Sequence, residues 1–168
     1  TTLVPIFGMV LCFGISTIQA RDTDSLMAML DSVRMDSSQA AWRLELAEAI
    51  RNPDISGALE YARQALHIAE QTGNEILIAK SKLAIGRYYD YLGVREEALI
   101  HLTEALDIFQ ALDMAAEEAQ CILLIGNSYW YMDQFNSALK YYKLAAQYGK
   151  DLNDTTLLIS VMNATGAV

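Results

Sequence analysis

The stretch Leu83-Ala84-Ile85-Gly86-Arg87-Tyr88-Tyr89 carries the pattern on which the fold of this 168-residue chain depends. Its glycine recurs at a fixed interval, because Gly86, Gly126 and Gly166 stand 40 residues apart. Alanines and leucines on both sides of these glycines keep the same spacing. A constant period of this length is typical of a repeat array, in which each unit stacks on the next. The sequence therefore predicts three complete units and the beginning of a fourth.

Apolar residues within each unit follow the spacing of amphipathic helices, and turn formers such as Pro53, Gly73, Gly93 and Asp133 separate them. Asp36-Ser37-Ser38-Gln39 has the form of a capping box that opens the first helix. We therefore expect an all-α fold of antiparallel helix pairs. The expected helices cover about 36–51, 56–70, 76–92, 95–112, 115–132 and 136–152, and a further helix begins near 157.

The first unit departs slightly from the 40-residue spacing. Leu46-Ala47 matches Ile85-Gly86 only if the turn between the two helices of the first unit is one residue shorter. We adopt this shift because Glu45 would otherwise take a buried position.

The repeated positions resemble the tetratricopeptide repeat, which has a small residue at its eighth position, an aromatic at its eleventh, and alanines at its twentieth and twenty-seventh. In this chain these positions are Gly86, Tyr89, Ala98 and Ala105 in the second unit, and Gly126, Tyr129, Ala138 and Ala145 in the third. The resemblance covers the chain from about Ser37 to its end. It implies a right-handed superhelix whose concave wall is lined by the first helix of each unit.

The family's pattern also names the positions that face the concave wall. In this chain they are Ala41, Leu44, Glu48, Arg51 and Asn52, then Lys80, Leu83, Arg87, Asp90 and Tyr91, then Gln120, Leu123, Asn127, Trp130 and Tyr131, with Asn163 continuing the row. From these we select as the candidate ligand groove Arg51, Lys80, Arg87, Asp90, Tyr91, Gln120, Asn127, Trp130, Tyr131 and Asn163.

The candidate groove suits a protein or peptide ligand. Its basic side chains can meet an acidic group or a terminal carboxylate, its asparagines can hydrogen-bond a peptide backbone, and its aromatic residues can anchor apolar groups. The alternative is that these residues are only solvated or inter-helix positions of a scaffold.

The charge balance excludes nucleic acid as an expected partner. The chain holds 21 acidic and 12 basic residues, which gives a formal net charge of −9. Such a surface repels phosphate backbones, and no run of Lys or Arg offsets it.

The sequence offers little support for catalysis, so we expect no enzyme activity, no cofactor and no metal in this segment. His67 and His101 lie in second helices, and Glu97 and Glu104 are ordinary surface neighbours of His101. Cys121 is expected to be a small buried core residue.

The first 20 residues carry no charge and contain an apolar run from Leu3 to Gly14, so they are expected to be an incomplete signal peptide or a signal anchor. Leu26, Met29 and Leu30 then predict an amphipathic helix that caps the array. The expected segments are 1–20 as the signal or anchor, 21–35 as the capping helix, 36–75, 76–114 and 115–154 as three repeats, and 155–168 as the first helix of a fourth.

Long repeats behind a signal-like segment resemble the sensor arrays of bacterial membrane histidine kinases and related regulators. The resemblance implies an exported or periplasmic sensor or scaffold in a larger signalling protein, with an output domain beyond residue 168. We also keep two alternatives, a free exported adaptor that assembles other proteins and a cytoplasmic array tethered by an uncleaved anchor. The sequence leaves the ligand and the oligomeric state open.

Overall fold

The computed structural model describes residues 37–166, and these residues form an array of helices without any strand. In chain order the helices are α1 (Ser37–Ile50), α2 (Ile55–Thr72), α3 (Glu75–Leu92), α4 (Arg95–Ala111), α5 (Ala115–Tyr131), α6 (Phe135–Asp151) and α7 (Thr155–Gly166). The prediction of an all-α array is confirmed, and the helix ends differ from those expected by only a few residues.

The helices pack as successive antiparallel pairs. Each helix contacts the next one along the chain, and the first helices α1, α3, α5 and α7 also contact one another in turn. Within 37–166 no such contact joins the second helices α2, α4 and α6 to one another. The first helices therefore lie on the inner, concave side of a right-handed superhelix, and the second helices lie outside.

Glycine allows the paired helices to approach closely. A Cβ atom on Gly86 would lie 2.7 Å from Cγ of Leu102 and 3.1 Å from the carbonyl oxygen of Ala98. A Cβ atom on Gly126 would lie 2.8 Å from the ring of Tyr142. Both distances are too short for a side chain, so the 40-residue glycine spacing marks the points where the two helices of a unit cross.

The first unit has the shifted spacing that its sequence predicts. Leu46 and Ala47 are fully buried, whereas Glu45 is exposed. The turn in the second unit uses a left-handed residue, Gly93, with φ of 81°. The corresponding residue of the first unit is Pro53, whose ring fixes φ at a negative value, so this turn takes another course.

The turns between units share one backbone conformation. Gly73, Asp113 and Asn153 are 40 residues apart, and all three are left-handed, with φ of 64°, 54° and 53°. Each ends a second helix and lets the chain reverse into the next unit. The packing of the units therefore repeats in the backbone as well as in the side chains.

The core runs along the array between the helix layers. Cys121 lies inside it and is completely buried, as expected, and burial raises the pKa of its thiol to about 12. The predictions made for residues 1–36, which include the signal segment, the capping helix and Asp36 of the capping box, lie outside the described residues. None of the helices between residues 37 and 166 combines the length and apolar character that a membrane span requires.

Candidate ligand-binding wall

The inner wall is defined here as the concave face of α1, α3, α5 and α7. Lys80 on α3, Gln120 on α5 and Asn163 on α7 are exposed. Among the residues that the structure describes, none of the three forms a hydrogen bond or an ion pair. Their side chains therefore leave one ammonium group and two amides available to a ligand.

A carboxylate on α1 organises the basic part of the inner wall. The carboxylate of Glu48 forms an ion pair with Nη1 of Arg87 at 3.4 Å and another with Nε of Arg51 at 3.1 Å. It also accepts a hydrogen bond from the hydroxyl of Tyr88 at 3.2 Å, and burial is the main cause that raises the pKa of this hydroxyl. Arg51 in turn donates to the hydroxyl of Tyr91 at 3.5 Å. Two guanidinium groups thus share one carboxylate, which leaves this cluster with a net positive charge.

Asn127 is oriented from behind by a buried tyrosine. The hydroxyl of Tyr142 on α6 donates to Oδ1 of Asn127 at 3.0 Å, and burial raises the pKa of Tyr142 to about 12. The phenol is therefore a neutral donor at physiological pH. Because the amide oxygen is occupied, the amide nitrogen of Asn127 is left as a donor.

Asp90 requires a correction, because it is not an open residue of the wall. It is buried, with 5% of its surface exposed. Its Oδ1 accepts from Nη1 of Arg95 at 2.8 Å and from Oγ of Ser128 at 2.9 Å. A buried carboxylate needs such partners, since desolvation penalises an unpaired charge. Asp90 therefore links α3 to α4 and α5 instead of facing a ligand.

Aromatic side chains gather where the first helices end. Tyr91 and Tyr131 remain 51% and 62% exposed. The guanidinium of Arg95 lies 4.4 Å from the ring centroid of Tyr131. The rings of Trp130 and Phe135 pack together with their centroids 4.7 Å apart. Tyr91 and Tyr131 can therefore anchor apolar groups at the border of the wall, whereas Trp130 is partly used in packing.

Sequence reasoning missed the residues that position the wall. It placed Glu48 on the wall but did not select it, and it gave no role to Tyr88 or Tyr142. The 40-residue spacing does not indicate the contact between Glu48 and Tyr88, because in the shifted first unit Glu48 corresponds to Arg87. No sequence pattern indicates that Arg95, at the start of an outer helix, reaches Asp90.

The histidines lie away from the wall. The ring of His101 stacks on that of Tyr89, with centroids 5.7 Å apart, and burial lowers its pKa. The expected surface pairing of His101 with Glu104 is replaced by an ion pair of Glu104 with Lys82 at 2.6 Å. Residues 37–166 contain no group of three histidine, cysteine or acidic side chains placed to hold a metal ion.

Comparisons of the sequence and of the structure gave different results. No protein-family model and no curated protein matches the chain. The fold is similar to that of the apo form of RapI, with a TM-score of 0.72 and 23% identity over 79% of this chain and 50% of that one.

Two further structures have the same architecture. The tetratricopeptide repeat sensor protein of the STAND class from Pyrococcus horikoshii gives a TM-score of 0.70 at 20% identity, over 82% of this chain and 22% of that one. The Rap conjugation gene regulator of plasmid pLS20, in complex with the Phr* peptide, gives 0.66 at 18% identity, over 88% and 39%. The chain spans half or less of each of these three proteins. The likeness shows that the fold is a helical repeat array of the tetratricopeptide type.

Proposed function

We propose that the inner wall binds an extended peptide or protein segment that carries acidic groups. The observation that supports this is the state of its polar residues. The carboxylate of Glu48 is held by two guanidinium groups and that of Asp90 is buried against Arg95, whereas Lys80 and the amides of Gln120 and Asn163 are unpaired within 37–166. The wall thus offers cations and donors in a chain whose net charge is −9.

Each part of the wall has a separate role in this proposal. Lys80 and Arg87 attract carboxylates, the amide nitrogen of Asn127 donates to a peptide carbonyl, and Tyr91 and Tyr131 cover apolar side chains. The regulator structure supports the proposal, because that protein, which contains a similar array, is in complex with the Phr* peptide.

The experiment compares Lys80→Glu with the matched control Lys140→Glu. Both lysines are exposed, but Lys140 lies on the outer helix α6. The probes are fluorescein-labelled decapeptides with free carboxyl termini, one set rich in Asp and Glu and the other with Asn and Gln at the same places. Fluorescence anisotropy gives the Kd of each peptide.

We expect the acidic set to bind more tightly than the amide set. Lys80→Glu should weaken the acidic peptides by about tenfold, because a reversed charge near a carboxylate costs more than 1 kcal/mol at a protein surface. Lys140→Glu should leave the Kd unchanged. Equal binding of the two peptide sets, or equal loss in the two variants, would refute the assignment.

We further propose that the array is the extracytoplasmic sensor or scaffold part of a larger bacterial signalling protein. The apolar segment from Leu3 to Gly14 and the sensor role of the repeats named in the STAND protein support this reading. Residues 1–168 fused to alkaline phosphatase, which needs disulfides formed outside the cytoplasm, should give an active enzyme in bacteria. The same fusion begun at Arg21 is the control, and equal activity of the two fusions would contradict export through the first segment.

A further inference from the structure

The carboxylate of Glu48 on the inner wall occupies three donors and is itself open to solvent. Its Oε1 pairs with Nε of Arg51, and its Oε2 pairs with Nη1 of Arg87 and accepts from the hydroxyl of Tyr88. The side chain of Glu48 is 48% exposed, compared with 32% for Arg51 and 24% for Arg87. The most exposed member of these ion pairs is therefore the acid, and the two cations are less accessible than the group that covers them.

Neither the repeat nor the packing requires an acid at this position. In the shifted first unit, Glu48 corresponds to Arg87 and Asn127 of the following units, and neither of these is acidic. The distances of 3.1 and 3.4 Å to the guanidinium nitrogens exceed the about 2.7–2.9 Å of strong charged hydrogen bonds. Ion pairs of this kind at a half-exposed site contribute little to stability. The carboxylate of Glu48 can therefore leave its partners with little loss of stability.

We infer that Glu48 is an internal competitor of the ligand, and that a carboxylate of the ligand takes its place on Arg51 and Arg87. Both carboxylates cannot remain there together, because like charges at such distances repel each other. The exchange needs only a rotation of the Glu48 side chain into solvent, where half of that side chain already lies. This inference rests on the proposed function, since it names the place on the inner wall where the acidic group of the peptide binds.

The competition makes Glu48 a specificity-determining residue. A neutral amide or carbonyl group forms weaker hydrogen bonds with a guanidinium than a carboxylate does, so it cannot displace Glu48 from two of them. An anionic group can do so, because it makes the same charged contacts. Glu48 thus keeps both cations from neutral groups, and it weakens the binding of acidic ones.

The experiment compares Glu48→Gln with the matched control Glu45→Gln, using the labelled acidic and amide decapeptides. Glutamine keeps an oxygen that can accept from Tyr88 and removes only the charge. Glu45 lies on the same helix, is exposed, and forms no ion pair with any residue between 37 and 166. A second readout follows the carboxyl carbon of Glu48 by NMR in a chain made with isotopically labelled glutamate, and Glu48→Gln assigns the signal.

We expect Glu48→Gln to lower the Kd of the acidic peptides by about fivefold, which is the effect of one surface charge interaction at the upper end of the usual range. The Kd of the amide peptides should change by less than about twofold, and so should both values in Glu45→Gln. Saturating acidic peptide should move the carboxyl signal of Glu48 toward that of the exposed Glu45. Circular dichroism should show the same helix content in all three proteins.

The inference is overturned if Glu48→Gln tightens the acidic peptides no more than Glu45→Gln does, or if the carboxyl signal of Glu48 stays in place. The proposed function would then stand on its own evidence, which is the preference for acidic peptides and its loss in Lys80→Glu. Acidic peptides that bind no more tightly than amide peptides to the parent and to Glu48→Gln would refute both.

Discussion

Two serines are completely buried in the array, and they differ in their partners. Ser128 on α5 donates to Asp90 at 2.9 Å and to the carbonyl oxygen of Leu124 at 3.2 Å. The hydroxyl of Ser81 on α3 is buried without a hydrogen-bond partner. The residue that corresponds to Ser81 one unit later is Cys121, which needs no partner. The same side chain therefore stabilises the array at one position and weakens it at the other.

This contrast gives a matched pair of substitutions. Ser81→Ala should raise the free energy of unfolding by about 1 kcal/mol, because it removes a buried hydroxyl that has no partner. Ser128→Ala should lower it by about 1–2 kcal/mol, because it leaves the carboxylate of Asp90 with one partner fewer. Urea denaturation followed by circular dichroism measures both. The same sign for the two variants would contradict the account.

Sequence spacing predicted the buried small residues but not the polar partners of the core. Gly86 and Gly126 were identified because close helix crossings repeat with the fold. Asp90 was misplaced because its position in the pattern faces the wall, whereas its carboxylate is held by a side chain of α4. Such a contact depends on the rotamer of one long arginine, which no periodicity encodes.

The turns inside the second and third units share one backbone conformation. Gly93 and Asp133 occupy equivalent turns inside the second and third units, and both are left-handed, with φ of 81° and 58°. An aspartate in this conformation is strained relative to glycine, which has no Cβ atom. The third unit therefore keeps the turn of the second at some cost in stability.

Asp133→Gly should stabilise the chain by up to about 1 kcal/mol through relief of this strain. Asp133→Ala should have the opposite effect, because alanine pays the Cβ penalty without the local hydrogen bonds available to aspartate. Thermal unfolding of the three proteins gives the order Gly, Asp, Ala in melting temperature. A glycine variant that melts below the parent would show that the side chain of Asp133 has a stabilising role.

The positions of the helices were largely predictable from the sequence, whereas the conformations of the turns were predictable only in part. Amphipathic spacing and the turn formers Pro53, Gly73 and Gly93 indicated the helices to within a few residues. Asp113 and Asn153 belong to the residue types that enter the left-handed region most readily after glycine, and they follow Gly73 at the 40-residue interval, so residue type and spacing together could have indicated these turns. The unusual first turn follows from Pro53, which cannot take the conformation of Gly93.

Several weak acids between residues 37 and 166 are kept neutral by burial. Burial raises the pKa of Cys121 and of Tyr142 to about 12 each, and it also raises that of Tyr88. The ordinary values are 9.0 for the thiol and 10.0 for the phenols. Since these groups ionise more readily in the unfolded chain, their contribution to stability is complete below about pH 9 and is lost as the pH rises above it.

The array should therefore unfold progressively in alkaline solution. The free energy of unfolding from urea titrations should be nearly constant from pH 7 to 8 and should fall from pH 9 to 11. Cys121→Ala should reduce the slope between pH 9 and 11, whatever it does to the stability at pH 7, because one of the ionising groups is gone. An unchanged slope would mean that the thiol is not protected in the folded state.

The contacts between the inner helices have a mechanical consequence. The helices α1, α3, α5 and α7 contact one another in turn, whereas α2, α4 and α6 do not. Neighbouring units are therefore joined along the inner side of the array and separated along its outer side. The outer helices lie about 8–10 Å from the inner helices on which they pack. A small rotation at each contact between inner helices therefore produces a larger displacement between the outer helices. A ligand that rotated these inner contacts would therefore change the spacing between the outer helices as well.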